Sequence, residues 1–275
     1  MNMDHIVCKT KYPLLLVHGT GFRDLKIPVY WGRIPNVLRG HGATVFFGEQ
    51  DCWASTETNA HALCERIDAI LSETGAEKVN ILAHSKGGLE ARMAASSLGY
   101  GNKIASLTTI STPNRGSKTF TKFLRAPRFV FSIAGAAVDN WIRLVGDKKP
   151  DFKRVCEGFS VSYMEKFNAE NPDVPGVFYQ SVAGVMKHPF SDINLSTACF
   201  VLNRIEGPND GLVSVESASW GERCIEISGN TRRGISHLDE IDLRRSPLSR
   251  KTGKGVRDIT DFYVELVHDL KNRGF

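Results

Sequence analysis

A serine hydroxyl attacks a carbonyl at neutral pH only when a base takes its proton and an acid orients that base. The run Ala83-His84-Ser85-Lys86-Gly87 offers a serine in a suitable setting. An apolar stretch, Lys78 to Ala83, leads into it, and a helical pattern, Gly87 to Leu98, leads away. Small residues two positions to either side of Ser85 permit the sharp strand-to-helix turn that lifts a nucleophile above a sheet edge. The helix start that follows favours negative charge developing there. The five-residue pattern alone recurs by chance. A strand before and a helix after separate it from an idle serine in a small-residue turn.

On such a scaffold the acid and then the base follow the serine in the chain. Of eight histidines, His5, His18, His41, His61 and His84 precede or adjoin Ser85. His268 lies within the last helical pattern, and His188 comes before any good acid. His237 remains, in the loop Gly234-Ile235-Ser236-His237-Leu238-Asp239 after an expected strand. The acid is read at Asp210, in the turn Pro208-Asn209-Asp210-Gly211 ahead of Leu212-Val213. A lone Asp-Gly is usually a turn and a lone histidine usually a packed or surface residue. The three together in the order Ser85, Asp210, His237 are what point to catalysis.

These residues need a scaffold, and the pattern supplies one. Pro13 to Val17 and Ala43 to Phe47 are short apolar runs, the profile of strands buried on both faces. Ser55 caps a helix with Ala60, Leu63, Ile67, Ile70 and Leu71 at helical spacing, stopped by Gly75. Strands are read at Lys78–Ala83, Ile104–Ile110, Val177–Ala183 and Cys224–Ile227, with a closing helix from about Val256 to Lys271. Strand and helix alternating at this density predict an α/β fold, a mainly parallel central sheet flanked by helices. Residues from about 115 to 172 break the rhythm as amphipathic helical pieces. Expected strands lie on both sides of them, so 1–275 reads as a single domain carrying a helical insertion.

Charge is uneven along the 275 residues. Between Asn114 and Arg154 ten basic side chains face three acidic ones, so that segment is +7 within a chain of +5. A basic face for nucleic acid is one reading. The same segment holds Phe120, Phe123, Leu124, Phe129, Val130, Ile133, Trp141, Ile142, Leu144 and Val145, which suits a cover over a lipophilic site at least as well. No apolar run approaches the length of a membrane span. No secretory signal is visible, which favours the cytoplasm if the chain is complete; secretion after removal of a signal gives the same sequence. The six cysteines show no CxxC pair or metal-ligand spacing and are expected as buried free thiols, Cys64 on a helix face and Cys199 and Cys224 in apolar surroundings.

Several blocks resemble the bacterial true lipases, the triacylglycerol lipase branch of the α/β-hydrolase superfamily. They are Leu14 to Gly19, Tyr30-Trp31-Gly32-Arg33-Ile34-Pro35, Ala83 to Gly88, Ser111 to Ser117, Asn209 to Val213, and His237-Leu238-Asp239-Glu240-Ile241. They keep their order across nearly the whole chain. The resemblance implies the α/β-hydrolase fold, with Ser85 as nucleophile, Asp210 as acid and His237 as base. It implies an oxyanion hole from the backbone N–H groups of Thr20 and Lys86, and a lid at the insertion, about 115–172. Many relatives carry Gln where Lys86 stands and Gly where Ala83 stands. A lysine there would alter pH dependence or release of the product carboxylate. Extracellular relatives often hold a structural calcium, whose carboxylates would correspond to Asp192 and Asp239. The disulfide that relatives often carry after the acid is absent from Val215-Glu216-Ser217-Ala218, mildly favouring a reducing compartment.

The expected activity is a serine carboxylic-ester hydrolase, lipase or esterase, working through an acyl-enzyme with no cofactor required and a lipid-like acyl ester as substrate. A small-ester esterase, thioesterase or acyltransferase would use the same triad. A basic anion- or nucleic-acid-binding protein is the reading from a different class, and it leaves the triad unexplained.

Overall fold

A computed structural model describes residues 6–21, 30–124, 151–249 and 254–275. Six strands form one sheet in the order β2-β1-β3-β4-β5-β6, every neighbouring pair parallel. They are β1 (Leu14–Val17), β2 (Val45–Phe47), β3 (Val79–His84), β4 (Ile104–Ile110), β5 (Phe178–Gly184) and β6 (Arg223–Ile227). Successive side chains of a strand point to opposite faces. Leu14 and Leu16 accordingly join one apolar cluster, and Leu15 and Val17 the other. The first cluster is closed by α9 (Ile259–Asn272), through Phe262, Leu266, Val267 and Leu270, and by α1 (Ile34–Gly40). The second is closed by Leu63, Ile67 and Ile70 of α2 (Thr56–Thr74) and Ala91, Ala94 and Ala95 of α3 (Lys86–Ala95).

Element ends follow local chemistry. Ser55 caps α2 by accepting from Thr58 N, and Gly75 ends it in the left-handed conformation, both as expected. The last helix begins at Ile259 rather than Val256, because Asp258 caps it by accepting from Thr260 N. Sequence patterning did not reveal α1, α7 (Ser196–Ile205) or the single turn α8 (Val215–Ala218). In α7 the apolar residues form a continuous run, Ala198 to Leu202, of which only Cys199 and Leu202 are buried, and a short continuous run does not distinguish helix from strand.

Between β4 and β5 lie α4 (Lys118–Phe123), α5 (Phe152–Glu157) and α6 (Val161–Glu170), helical as expected. Residues 125–150, with Phe129, Val130, Ile133, Trp141, Ile142, Leu144, Val145 and five of the ten basic side chains, lie outside the described residues. All six cysteines are free; five are buried. Cys224 corrects the expectation: it sits exposed on β6, an edge strand of the sheet. Among the described residues no helix is long and apolar enough to cross a membrane.

Candidate active site

Ser85 occupies the turn between β3 and α3 with a positive φ of 54°. A non-glycine residue there costs about 1–3 kcal/mol and persists only where its surroundings impose it. Here β4 imposes it. Ser85 N donates to Ile110 O at 2.8 Å, and Thr112 Oγ1 donates to Ser85 O at 2.7 Å. Gly19 approaches from β1 so closely that a Cβ on it would lie 2.7 Å from Ser85 Cβ. Gly88 faces the Thr112 side chain with no room for a Cβ. Gly19 and Gly88 are therefore spacing requirements of the elbow.

The structure brings the expected acid and base together. Asp210 Oδ2 lies 2.6 Å from His237 Nδ1, with both residues buried. The other carboxylate oxygen, Oδ1, accepts from Leu212 N at 2.8 Å and Val213 N at 2.7 Å. His237 N donates to Asp210 O at 2.9 Å, which joins the two loops through their backbones as well. The His237 ring packs on that of His84, the residue before Ser85, with centroids 4.4 Å apart. The loops that carry Ser85, Asp210 and His237 thus meet at the carboxyl end of the sheet, where ligands of open parallel sheets bind.

Two distant sequence blocks explain how the His237 loop is held. Arg33, at the start of α1, reaches Asp242 through Nε (2.8 Å) and Nη2 (2.7 Å) and Asp258 through Nη1 (2.9 Å). This fork links the Tyr30–Pro35 block to Asp242, the residue after the His237–Ile241 block, and to the cap of α9. Such bidentate pairs fix orientation as well as adding energy.

One group at the site was not singled out from the sequence. Glu240 is fully buried and accepts from Ser111 Oγ at 2.7 Å, with Oε2 3.2 Å from His84 Nε2. Burial, and then the nearby Asp210 charge, push its carboxyl well above the usual glutamate range. Burial, followed by His237 and His18, holds His84 well below the usual histidine range, so its ring is neutral. His84 Nδ1 lies 2.7 Å from Tyr30 Oη, which accepts from Gly19 N at 3.0 Å. Glu240 lies inside the His237–Ile241 block, but only burial distinguishes it from an ordinary surface glutamate. The ligand atoms of His84, His237 and Glu240 lie within 4.8 Å of one another. His237 is already bonded to Asp210, and His84 to Tyr30 and Glu240.

Lys86 corrects an expectation. Its ammonium is buried and pairs with Glu90 one turn along α3, so it does not face a product carboxylate. Its backbone N–H opens α3, one of the first-turn donors without a carbonyl partner inside the helix. Thr20 follows Gly19, beside Ser85, on the loop after β1.

Asp192 and Asp239 do not fit a calcium ion. Asp192 accepts from Ser236 Oγ at 2.9 Å and Asn194 N at 3.2 Å. Asp239 Oδ1 lies 2.7 Å from Arg244 Nε, and Oδ2 lies 3.5 Å from Arg233 Nη2. Asp239 Oδ1 accepts no hydrogen bond, so its contact with Arg244 is ionic without alignment. Two guanidinium groups already sit against Asp239, and a dication bound there would have to displace them. Dialysis against EDTA is therefore expected to leave the melting temperature within about 1 °C. Arg244→Gln should lower it by about 2–4 °C, because about 1 kcal/mol of half-exposed pairing is lost. A fall of more than about 5 °C on chelation, reversed by calcium, would overturn this account.

A parallel sheet with a serine on a strained strand-to-helix turn, and an acid–histidine pair beside it, is the α/β-hydrolase arrangement. A family model described as alpha/beta hydrolase fold matches residues 12–136. Triacylglycerol lipase 2 of Saccharomyces cerevisiae is 30% identical over 90% of this chain and 74% of its own length. The triacylglycerol lipase of Vibrio cholerae is 36% identical over 85% of this chain and 80% of its own. The Staphylococcus hyicus lipase structure superposes with a TM-score of 0.67 at 17% identity, covering 99% of each chain. The chain belongs to the triacylglycerol lipase family, and it is a serine ester hydrolase of the lipase/esterase class.

Proposed function

We propose that the chain cleaves lipid-like carboxylic esters with Ser85 as nucleophile, His237 as general base and Asp210 as the acid that orients it. The observation that carries this reading is the buried 2.6 Å Asp210–His237 contact beside the strained Ser85 turn. With Nδ1 bonded to Asp210, Nε2 is the ring nitrogen that exchanges protons. His237 takes the Ser85 proton as Oγ attacks the ester carbonyl, and the oxyanion is held by the Thr20 and Lys86 amides. The imidazolium then protonates the departing alcohol, leaving an acyl-Ser85 ester. Water, deprotonated by the same nitrogen, attacks that ester and releases the acid and Ser85.

Two observations support a lipid-like substrate. The relatives above are named as triacylglycerol lipases. Leu212, two residues beyond Asp210, is exposed, as are Phe190, Ile193, Phe200 and Val201. So many bare apolar side chains suit contact with an acyl phase. The segment about 115–172 is proposed as the lid. A panel of p-nitrophenyl esters, with and without a serine-reactive phosphonate, tests the reading. Medium and long acyl chains should be cleaved faster than acetate, the rate should rise once the substrate aggregates, and the phosphonate should abolish both. A preference for acetate with no change at the aggregation threshold would make the chain a small-ester esterase.

A further inference from the structure

Lys86 and Glu90 form a charge pair in which each residue is 1% exposed. Replacing a buried ion pair by apolar side chains of similar size is often neutral or stabilising, so such a pair is weak evidence for stability. What it touches gives it a purpose. Glu90 also accepts from Asn59 Nδ2 of α2 at 2.8 Å and from Gln50 Nε2 at 3.0 Å. Gln50 Nε2 donates in addition to His18 O at 2.9 Å. The Gln50 carbonyl lies 2.9 Å from His18 Nε2, and His18 Nδ1 lies 2.7 Å from Gly19 O. A buried network therefore runs from the first turn of α3 to the His18-Gly19 loop. The same two backbones meet directly at Gly87, where a Cβ would strike the His18 carbonyl.

The Gln50 amide shows a cost accepted for geometry. Both its acceptors require Nε2, and Oε1 is left buried without a hydrogen bond. A buried oxygen left unpaired forfeits the hydration it had in water and gains nothing in exchange. A network kept only for stability would not retain it.

We infer that Glu90, Gln50 and the Lys86 side chain are positioning residues that hold the Thr20 and Lys86 amides in register as one oxyanion hole. Thr20 is carried by the loop that His18 and Gly19 anchor, and Lys86 is carried by α3. The network is the strut between them. The inference rests on the proposed reading of Ser85 as nucleophile and of these amides as the oxyanion donors. Loss of one oxyanion donor costs about 10²–10³-fold in kcat, and displacing a donor costs part of that.

The test measures kcat and KM for a soluble ester, per active site titrated with a p-nitrophenyl phosphonate, in Glu90→Gln, Gln50→Leu and the double variant Lys86→Gln/Glu90→Gln. Glu90→Gln should lower per-site kcat about 10–100-fold with KM within about threefold, and should slow phosphonylation in parallel. Gln50→Leu removes no charge and should lower per-site kcat in the same manner. The double variant restores a neutral amide pair and should recover most of the Glu90→Gln loss. Per-site kcat within twofold of wild type in both single variants, with only the titre or the melting temperature reduced, would make the network merely structural. Ser85→Ala, assayed alongside, separates the failures. Retained activity there overturns the nucleophile itself, whereas an inactive Ser85→Ala with unimpaired Glu90→Gln and Gln50→Leu overturns only the strut.

Discussion

Ser85→Ala is expected to reduce ester hydrolysis by at least about 10⁴-fold, with binding of a non-hydrolysable ester analogue nearly unchanged. The hydroxyl proposed to form the acyl-enzyme is gone, while the fold around it stays. The turn is imposed by Ile110, Thr112 and Gly19 rather than by the serine side chain. His237→Ala should cost about as much, and the double variant little more than either single one, because nucleophile and base act as a unit. Initial rates on p-nitrophenyl butyrate at equal folded concentration, checked by circular dichroism, measure all three. Activity of Ser85→Ala within tenfold of wild type would remove the serine from the mechanism. Losses that multiply in the double variant would mean that the two residues act in separate steps.

Much of this site was legible in the sequence because its chemistry is local. Ala83 to Gly88 is a turn whose small residues are demanded by close neighbours. The continuous apolar strands mark a sheet covered on both faces, as the alternation of Leu14 to Val17 between two cores shows. What stayed hidden depends on contacts between distant parts of the chain. Glu240 differs from a surface glutamate only because Ser111, from the end of β4, and His84, from the elbow, close over it. Lys86 reads as a cation beside the nucleophile until Glu90, Gln50 and Asn59 are seen to gather it inside. Asp239 reads as a metal ligand until Arg233 and Arg244 converge on it from elsewhere in its loop region. In each case the residue type was visible and the partner was not. Spacing predicts neighbours along a helix or strand, but not which loops a sheet brings to one edge.

Asp210→Asn should lower kcat by about 10⁴-fold while leaving the fold and the substrate KM largely intact. The magnitude follows from a constraint on how the new amide can turn. Asp210 Oδ1 accepts from the backbone of both Leu212 and Val213. An asparagine must keep its carbonyl oxygen there, since its NH₂ group would face two donors. The NH₂ group then occupies the place of Oδ2, 2.6 Å from His237 Nδ1, and donates to that nitrogen. His237 is forced into the tautomer with its proton on Nε2, and a protonated Nε2 cannot take the proton of Ser85. Glu240 does not replace the lost acid as it stands. Its Oε2 is 3.9 Å from His237 Nδ1, beyond hydrogen-bond reach, and Ser111 and His84 hold it. The loss should shrink toward high pH, where hydroxide takes the Ser85 proton in place of His237, so rates are best measured from about pH 6 to 10. A pH-independent loss of less than tenfold would show that the orientation of His237 is supplied by another group, with Glu240 the nearest one able to move.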